Sequence, residues 1–425
     1  MKNMKRALVL SGGGSRGAYE IGAWQAFNEL GVKFDAVYGT SIGALNAGLI
    51  AQGSLSKATE VWSNITLNQV IGGEEENLSI DRMISRKRDI VPFLLENAKH
   101  LRADIRPLEN LLKENLDEGK VRASGMQLGV MTVRVPQMQP VPVRLSEIPE
   151  GQLTDWLIAS ASCFPVFPTK KIDGERYIDG GYFDNLPIDM AIQDGAEEIV
   201  AVDIHPQTTH PEYARMPFLK MIHPLRTLGS FLDFNPKLLK RMRLMGYYDA
   251  MKAYGAFDGV RYTFTHQNEI KIAAQAREFM RSTAAFDAEA LIRTGFGSSQ
   301  EVNAPLISAL EEETPLKKLS WKEVWLRGLE LCALQMGFRE DAIYDADTLT
   351  GRILKFARMG EAVGAMSRSQ ILVVAHMGSR ELISYLYRYL KAFGKFPEDC
   401  IETLAGFPRE TAAALYLQLA ESAAA

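Results

Sequence analysis

Ser41 sits in the run Gly39-Thr40-Ser41-Ile42-Gly43, between a short apolar stretch, Ala36-Val37-Tyr38, and a series of small residues, Ala44-Leu45-Asn46-Ala47-Gly48. Strand, sharp turn and helix in that order make a nucleophile elbow. The turn is strained, its neighbours must be glycine or small, and the serine oxygen stands exposed at the helix start. Main-chain N–H groups and the helix dipole there favour negative charge as it develops.

Upstream, the apolar strand Ala7-Leu8-Val9-Leu10 runs into Ser11-Gly12-Gly13-Gly14-Ser15-Arg16-Gly17, followed by a helical stretch from Ala18 to Leu30. Three consecutive glycines lose much backbone entropy on folding, and in return let main-chain N–H groups approach a ligand atom closely. The spacing also fits Gly-x-Gly-x-x-Gly. A dinucleotide-binding loop, however, expects an acidic residue at the end of the second strand, about 20 positions on. Here Asp35 precedes that strand, which ends instead in the serine turn. A P-loop is excluded because no Gly-Lys-Ser/Thr follows. The loop therefore reads as an oxyanion hole, ending the first strand where the elbow ends the second, both on the carboxyl edge of one sheet.

A third motif, Tyr177-Ile178-Asp179-Gly180-Gly181, leads to Asp184-Asn185-Leu186-Pro187. Aspartate before two glycines also simply ends a strand in a tight turn. Beside an elbow and a glycine loop, Asp179 becomes the leading candidate for the base that a serine hydroxyl needs during attack. The chain has six histidines, of which His205, after the strand Ile199–Ile204, is the best placed to compete. Ser41, Asp179 and His205 follow the order of an α/β-hydrolase triad. That fold builds several strands before its nucleophile, whereas a single βα unit precedes Ser41. The Ser–Asp dyad is the favoured reading, with His205 as a hydrogen-bonded residue at a strand end.

The glycine loop with Arg16, the G-T-S-I-G elbow, Ala159-Ser160 with Pro165 and Pro168, and D-G-G before D-N-L-P resemble the patatin-like phospholipase family in order and spacing, over roughly the first 250 residues. The resemblance implies a lipid acyl hydrolase on a three-layer α/β/α fold, with Ser41 as nucleophile and Asp179 as base. It further implies an oxyanion hole from main-chain N–H groups around Gly12, Gly13 and Gly14 in the loop that continues through Arg16 and Gly17. Arg16 would support the loop, Gly39 and Gly43 frame the elbow, Gly180 and Gly181 complete the Asp-Gly-Gly turn, and Pro165 is structural. Phospholipid or another lipid ester is the implied substrate. A small or neutral ester, or a non-catalytic binding role, is the alternative.

No cofactor or metal is expected: there is no His-Glu-x-x-His, no paired cysteine ligands and no calcium loop. Three widely spaced cysteines, Cys163, Cys332 and Cys400, suit a reducing compartment rather than a disulfide framework. The basic residues before Ala7 precede a strand too short for a signal peptide, and no apolar run is long enough to span a bilayer. A cytoplasmic protein is expected. The net charge of −4 hides an asymmetry, because residues 213–252 carry eight basic and two acidic residues, making them +6 and the remainder −10. Basic and apolar residues are interleaved there in a mixture that suits anionic lipid headgroups, but an ordinary helix pair with one apolar face in the core and a solvated basic face is the favoured reading. No nucleic-acid reading motif accompanies the charge.

These elements imply an α/β catalytic domain over residues 1–255, ending in a helix from Pro236 to Ala253, and a mainly helical domain over 256–425. Residues 67–106, with Glu74-Glu75-Glu76 and Arg86-Lys87-Arg88, read as an insertion, either a lid or a surface excursion. Beyond a short strand at Val260–Thr265, the spacing predicts helices at Lys271–Ser282, Ala285–Thr294, Val302–Glu313, Trp321–Gly337, Thr348–Gly360, Ser379–Phe393 and Arg409–Ser422. Ser320 with Glu323 forms a capping box, and Gly295, Gly337 and Gly360 stand at helix ends. Ile371–Ala375 fits a strand or a helix equally. Regulation, dimerisation and partner binding are all open to this region, and the oligomeric state is not set by the sequence.

Overall fold

The computed structural model describes residues 6–72, 104–164, 166–205, 213, 216–294, 304–314 and 318–424. Pro165 and most of the 67–106 insertion, including its acidic and basic clusters, lie outside these residues, as do Arg215 and Gly295. The chain divides into two compact units, Met1–Ala253 and Tyr254–Ala425.

The first unit is built on a mixed eight-stranded sheet. In chain order its elements are β1 (Arg6–Leu10), α1 (Ala18–Glu29), β2 (Ala36–Thr40), α2 (Ile42–Ala51), α3 (Leu55–Asn64), α4 (Arg106–Asn115), α5 (Glu118–Ala123), β3 (Gln127–Val135), β4 (Gln139–Arg144), α6 (Leu153–Ser160), β5 (Lys170–Ile172), β6 (Glu175–Asp179), α7 (Ile188–Gln193), β7 (Glu198–Val202), β8 (Leu219–Ile222) and α8 (Pro236–Ala253). The strand order is β5-β6-β3-β2-β1-β7-β8, with β4 along β3. Strands β1, β2, β7 and β8 are parallel, as is β2 with β3. β1 is buried on both faces, which is why it reads as a continuous apolar run. Ala7 and Val9 pack toward Ile188 and Met190 of α7. Helices α1, α2 and α8 lie on the opposite face, giving three layers.

α8 carries five of the eight basic residues of the 213–252 segment. Leu239, Met242 and Met245 are buried along one stripe, and the helix approaches α1 so closely that glycine is required on both sides. A Cβ on Gly22 would lie 1.9 Å from the Arg243 carbonyl oxygen, and one on Gly246 1.9 Å from that of Tyr19. The apolar residues of this helix face the core, and its amphipathic pattern is that of a packed surface helix.

β3 positions the site. Its residues Gly129–Met131 pair with β2 and β4 together, and Thr132–Arg134 with β6 and β4 together. β2 and β6 therefore follow one another along the same edge of β3. Thr40 ends β2 opposite Met131, and Asp179 ends β6 opposite Thr132. Residues 41 and 179, distant in sequence, are brought side by side by two consecutive residues of one strand.

The second unit is mainly helical: α9 (Glu269–Thr294), α10 (Pro305–Glu311), α11 (Trp321–Gln335), α12 (Ala346–Ala357), α13 (Arg368–Met377), α14 (Ser379–Phe393), α15 (Ile401–Ala405) and α16 (Pro408–Ala424), with a two-residue pairing of Thr263–Phe264 and Ile343–Tyr344. Phe279, Trp325 and Tyr416 interlock at its core. The two helices expected at 271–294 are one, because Thr283 donates its hydroxyl to the Phe279 carbonyl within the helix instead of breaking it. Ile371–Ala375 lies in α13, where Ile371 is buried but Leu372 and Val373 are exposed. The Ser320 and Glu323 capping box forms as expected.

Candidate active site

The elbow is sterically committed. Ser41 has φ 54 and ψ −126, a conformation that L residues avoid. On either side only glycine fits: a Cβ on Gly39 would lie 2.3 Å from the Gly43 carbonyl oxygen, and one on Gly43 2.6 Å from those of both Leu10 and Ser11. A second serine, Ser160, holds the turn. Ser160, fully buried at the end of α6, accepts the Ser41 N–H at 2.9 Å and donates its hydroxyl to the Met131 carbonyl at 2.7 Å. The sequence motif contained Ser160 without revealing this task.

Asp179 is 5% exposed. Its N–H donates to the Ser162 carbonyl at 2.9 Å, and its Oδ1 accepts the Gly181 N–H at 2.7 Å. Burial pushes the carboxyl up to about 6, against the opposing pull of the Ser41 hydroxyl and the Gly181 N–H. A carboxyl titrating there is ionised at neutral pH yet poised to take a proton. Gly180 has no room for a side chain, since its Cβ would lie 2.3 Å from the Met131 carbonyl oxygen.

The glycine loop differs in detail from the sequence reading. The Gly12 N–H donates to the Asn185 carbonyl at 3.0 Å, so it is not available to an oxyanion. Among the described residues nothing accepts from the Gly13 and Gly14 N–H groups, which border the cavity beside Ser41. Gly14 has φ 60, and a Cβ on it would lie 2.2 Å from the Phe231 carbonyl oxygen. Arg16 lines the cavity, but its Nε and Nη2 both donate to the Gly229 carbonyl, at 3.0 and 2.8 Å, while its N–H turns back to Gly13. Ser15 adds bonds to Phe231 and Ser230. The loop is thus stitched to residues 229–231, which sequence reasoning treated only as part of a charged segment. Gly17 is not at the cavity; it packs against Ile42, Asn46 and Trp62.

Ser41, Asp179 and these N–H groups meet in a cavity of about 480 Å³ whose other walls are largely apolar, among them Leu45, Ile65, Leu108, Phe167 and Phe234. Ile65 and Leu108 flank the insertion, whose ends meet where the Gly72 N–H donates to the Asp104 carbonyl at 2.9 Å. Cys163 also lines the cavity, but burial pushes its thiol up to about 11, leaving it protonated and a poor competitor for Ser41. His205 borders it too. Its Nδ1 lies 3.3 Å from both Asp203 Oδ1 and Asn185 Nδ2, which makes it a strand-end residue tied to its neighbours. Among the described residues no helix is long and apolar enough to cross a membrane.

Residues 8–192 match the family model described as patatin-like phospholipase. Among curated proteins the chain is 26% identical over 203 residues to patatin-like phospholipase domain-containing protein 7 of Rattus norvegicus. It is 27% identical over 220 residues to domain-containing protein 6 of Homo sapiens, and 26% over 202 residues to lysophospholipase NTE1 of Mycosarcoma maydis. Each alignment takes in 47% of this chain but 13%, 13% and 10% of those proteins, so the chain spans about a tenth of the length of the curated relatives it matches. Among solved structures, VipD from Legionella pneumophila is similar at 13% identity with a TM-score of 0.42, over 98% of this chain and 91% of that one. The first unit of this chain carries a patatin-like phospholipase domain, spanning residues 8–192.

Proposed function

We propose that the chain is a serine acyl hydrolase acting on lipid esters, with Ser41 as nucleophile and Asp179 as its base. The observation that carries the reading is the convergence, in one apolar-walled cavity, of a strained serine, a buried carboxyl facing it and two uncommitted N–H groups. Asp179 takes the hydroxyl proton as Ser41 Oγ bonds to the ester carbonyl carbon. The tetrahedral oxyanion is met by the Gly13 and Gly14 N–H groups, a contribution of about 2.7–4 kcal/mol per donor in a comparable hydrolase. The ester C–O bond breaks, the proton passes from Asp179 to the departing alcohol, and water then releases the fatty acid by the same steps in reverse order.

The apolar walls favour an acyl chain over a small polar acid. The names of the relatives support a phospholipid or lysophospholipid, and the basic side chains of 213–252 supply a charge complementary to an anionic membrane carrying it. Reaction with a fluorophosphonate probe tests the central step. Labelling of wild type and its loss in Ser41→Ala are expected, and an unlabelled wild type contradicts the reading.

A further inference from the structure

Behind the site lies a buried carboxyl that the proposed mechanism does not use. Glu20, in the first turn of α1, is fully buried. Its Oε2 accepts from Asn46 Nδ2 at 2.7 Å, and the same Nδ2 donates to the Gly17 carbonyl at 3.1 Å. Trp62 Nε1 donates to Asn46 Oδ1 at 2.8 Å, so every polar atom of the Asn46 amide group has a buried partner. Asn46 belongs to α2, the helix that Ser41 begins. Gly17 ends the turn that carries Gly14 and Arg16. The Glu20–Asn46–Gly17 junction therefore ties the helix bearing the nucleophile to the loop bearing the oxyanion donors. No side chain at position 17 would leave room for it, since a Cβ there would lie 2.9 Å from Asn46 Nδ2 and 2.7 Å from Ile42 Cγ1.

We propose that Glu20 is a positioning residue that sets the distance between Ser41 and the Gly13–Gly14 donors through Asn46. This rests on the hydrolase reading above. No cation pairs with the carboxyl among the described residues, and it is Oε2, as an acceptor, that makes the contact to Asn46. Burial, aided by nearby Asp203, raises its pKa well above the usual carboxylate range. What the junction needs from Glu20 is an acceptor of the right length, and charge is not required. A misplacement of the donors by a fraction of an ångström weakens stabilisation of the oxyanion and leaves binding of the acyl chain in its apolar cavity unchanged.

The test compares Glu20→Met, which fills the space without an acceptor, with Glu20→Gln, which keeps one. On a soluble p-nitrophenyl ester, Glu20→Met should lower kcat roughly 10- to 100-fold with KM within about threefold. Glu20→Gln should recover kcat to within about threefold. Amide hydrogen exchange of residues 11–17 and 41–46 should quicken in Glu20→Met and not in Glu20→Gln. Should Glu20→Met not fold, Trp62→Phe loosens Asn46 from its other side and should lower kcat in the same way. Wild-type kcat in a folded Glu20→Met or Trp62→Phe protein overturns the proposal, and so does a Glu20→Gln protein as impaired as Glu20→Met. If wild type takes no fluorophosphonate, the hydrolase reading fails by itself, while the exchange comparison still decides whether Glu20 orders the loop and the elbow.

Discussion

Replacing Asp179 with asparagine separates what the carboxyl does to the fold from what it does for the chemistry. In the folded chain burial raises its pKa from 3.8 to about 6. In the unfolded chain the group titrates near its ordinary value. Below pH 3.8 it is protonated in both states and makes no pH-dependent difference. Between about pH 4 and about pH 6 the unfolded chain releases the proton and the folded chain keeps it, so the wild type loses stability as pH rises. Above about pH 6 both are ionised and the loss levels off. The rise from 3.8 to about 6 corresponds to about 3 kcal/mol. Asparagine keeps an oxygen for the Gly181 N–H and never ionises. Asp179→Asn should therefore match wild type near pH 4 and exceed it by about 3 kcal/mol at pH 8, roughly 6–12 °C in Tm for a unit of this size. Its kcat should fall by about 10²–10⁴, the usual worth of a general base. Thermal unfolding at a series of pH values, with ester turnover on the same samples, reads both. A stability gap that is absent at pH 8, or that does not change with pH, refutes the reasoning.

Wild-type kcat/KM should rise with pH through about 6 and then level off, since the base must be ionised to accept the serine proton; a flat profile from pH 4 to pH 8 would remove Asp179 from that role. His205→Ala should keep kcat within about threefold, because Nδ1 faces Asp203 and Asn185 and the serine faces Asp179; lost turnover in a folded variant restores the histidine triad. Gly43→Ala forces a methyl onto two main-chain oxygens 2.6 Å away. It should cost about 1–3 kcal/mol and abolish probe labelling. In the second unit, Glu330 accepts three N–H groups, from Val260, Arg261 and Tyr262, and a buried ion pair from Arg327. Glu330→Ala should destabilise that unit by about 3–5 kcal/mol, read by chemical denaturation.

The elbow, the glycine loop and the Asp-Gly-Gly turn were legible because local sequence dictates them. A serine at positive φ between glycines that have no space for a Cβ leaves little choice of residue. Their convergence was less accessible. It depends on the register of β3, where Met131 and Thr132 face the ends of two different strands. The Gly12 N–H was expected in the oxyanion hole, but it pairs with Asn185, 173 positions away, a contact that follows from sheet order. Cavity walls from α2, from the residues flanking the insertion and from residues 231–234 share no sequence pattern, only a common destination. Glu20 and Asn46 carry no motif at all. A glutamate in the first turn of a helix ordinarily reads as a favourable dipole partner in solvent, and only burial shows otherwise. In the second unit most helices were visible from spacing and caps, but α13 was left open between strand and helix, α15 was not expected, and two expected helices are one because Thr283 satisfies the helix instead of ending it.

The most direct test of the account is fatty acid release from mixed phospholipid vesicles by wild type, Ser41→Ala and Asp179→Asn, with folding of each verified. Release by wild type that falls to background in Ser41→Ala and by at least about 10²-fold in Asp179→Asn is the predicted result. Undiminished release by folded Ser41→Ala would contradict the claim that Ser41 is the nucleophile, and with it the dyad.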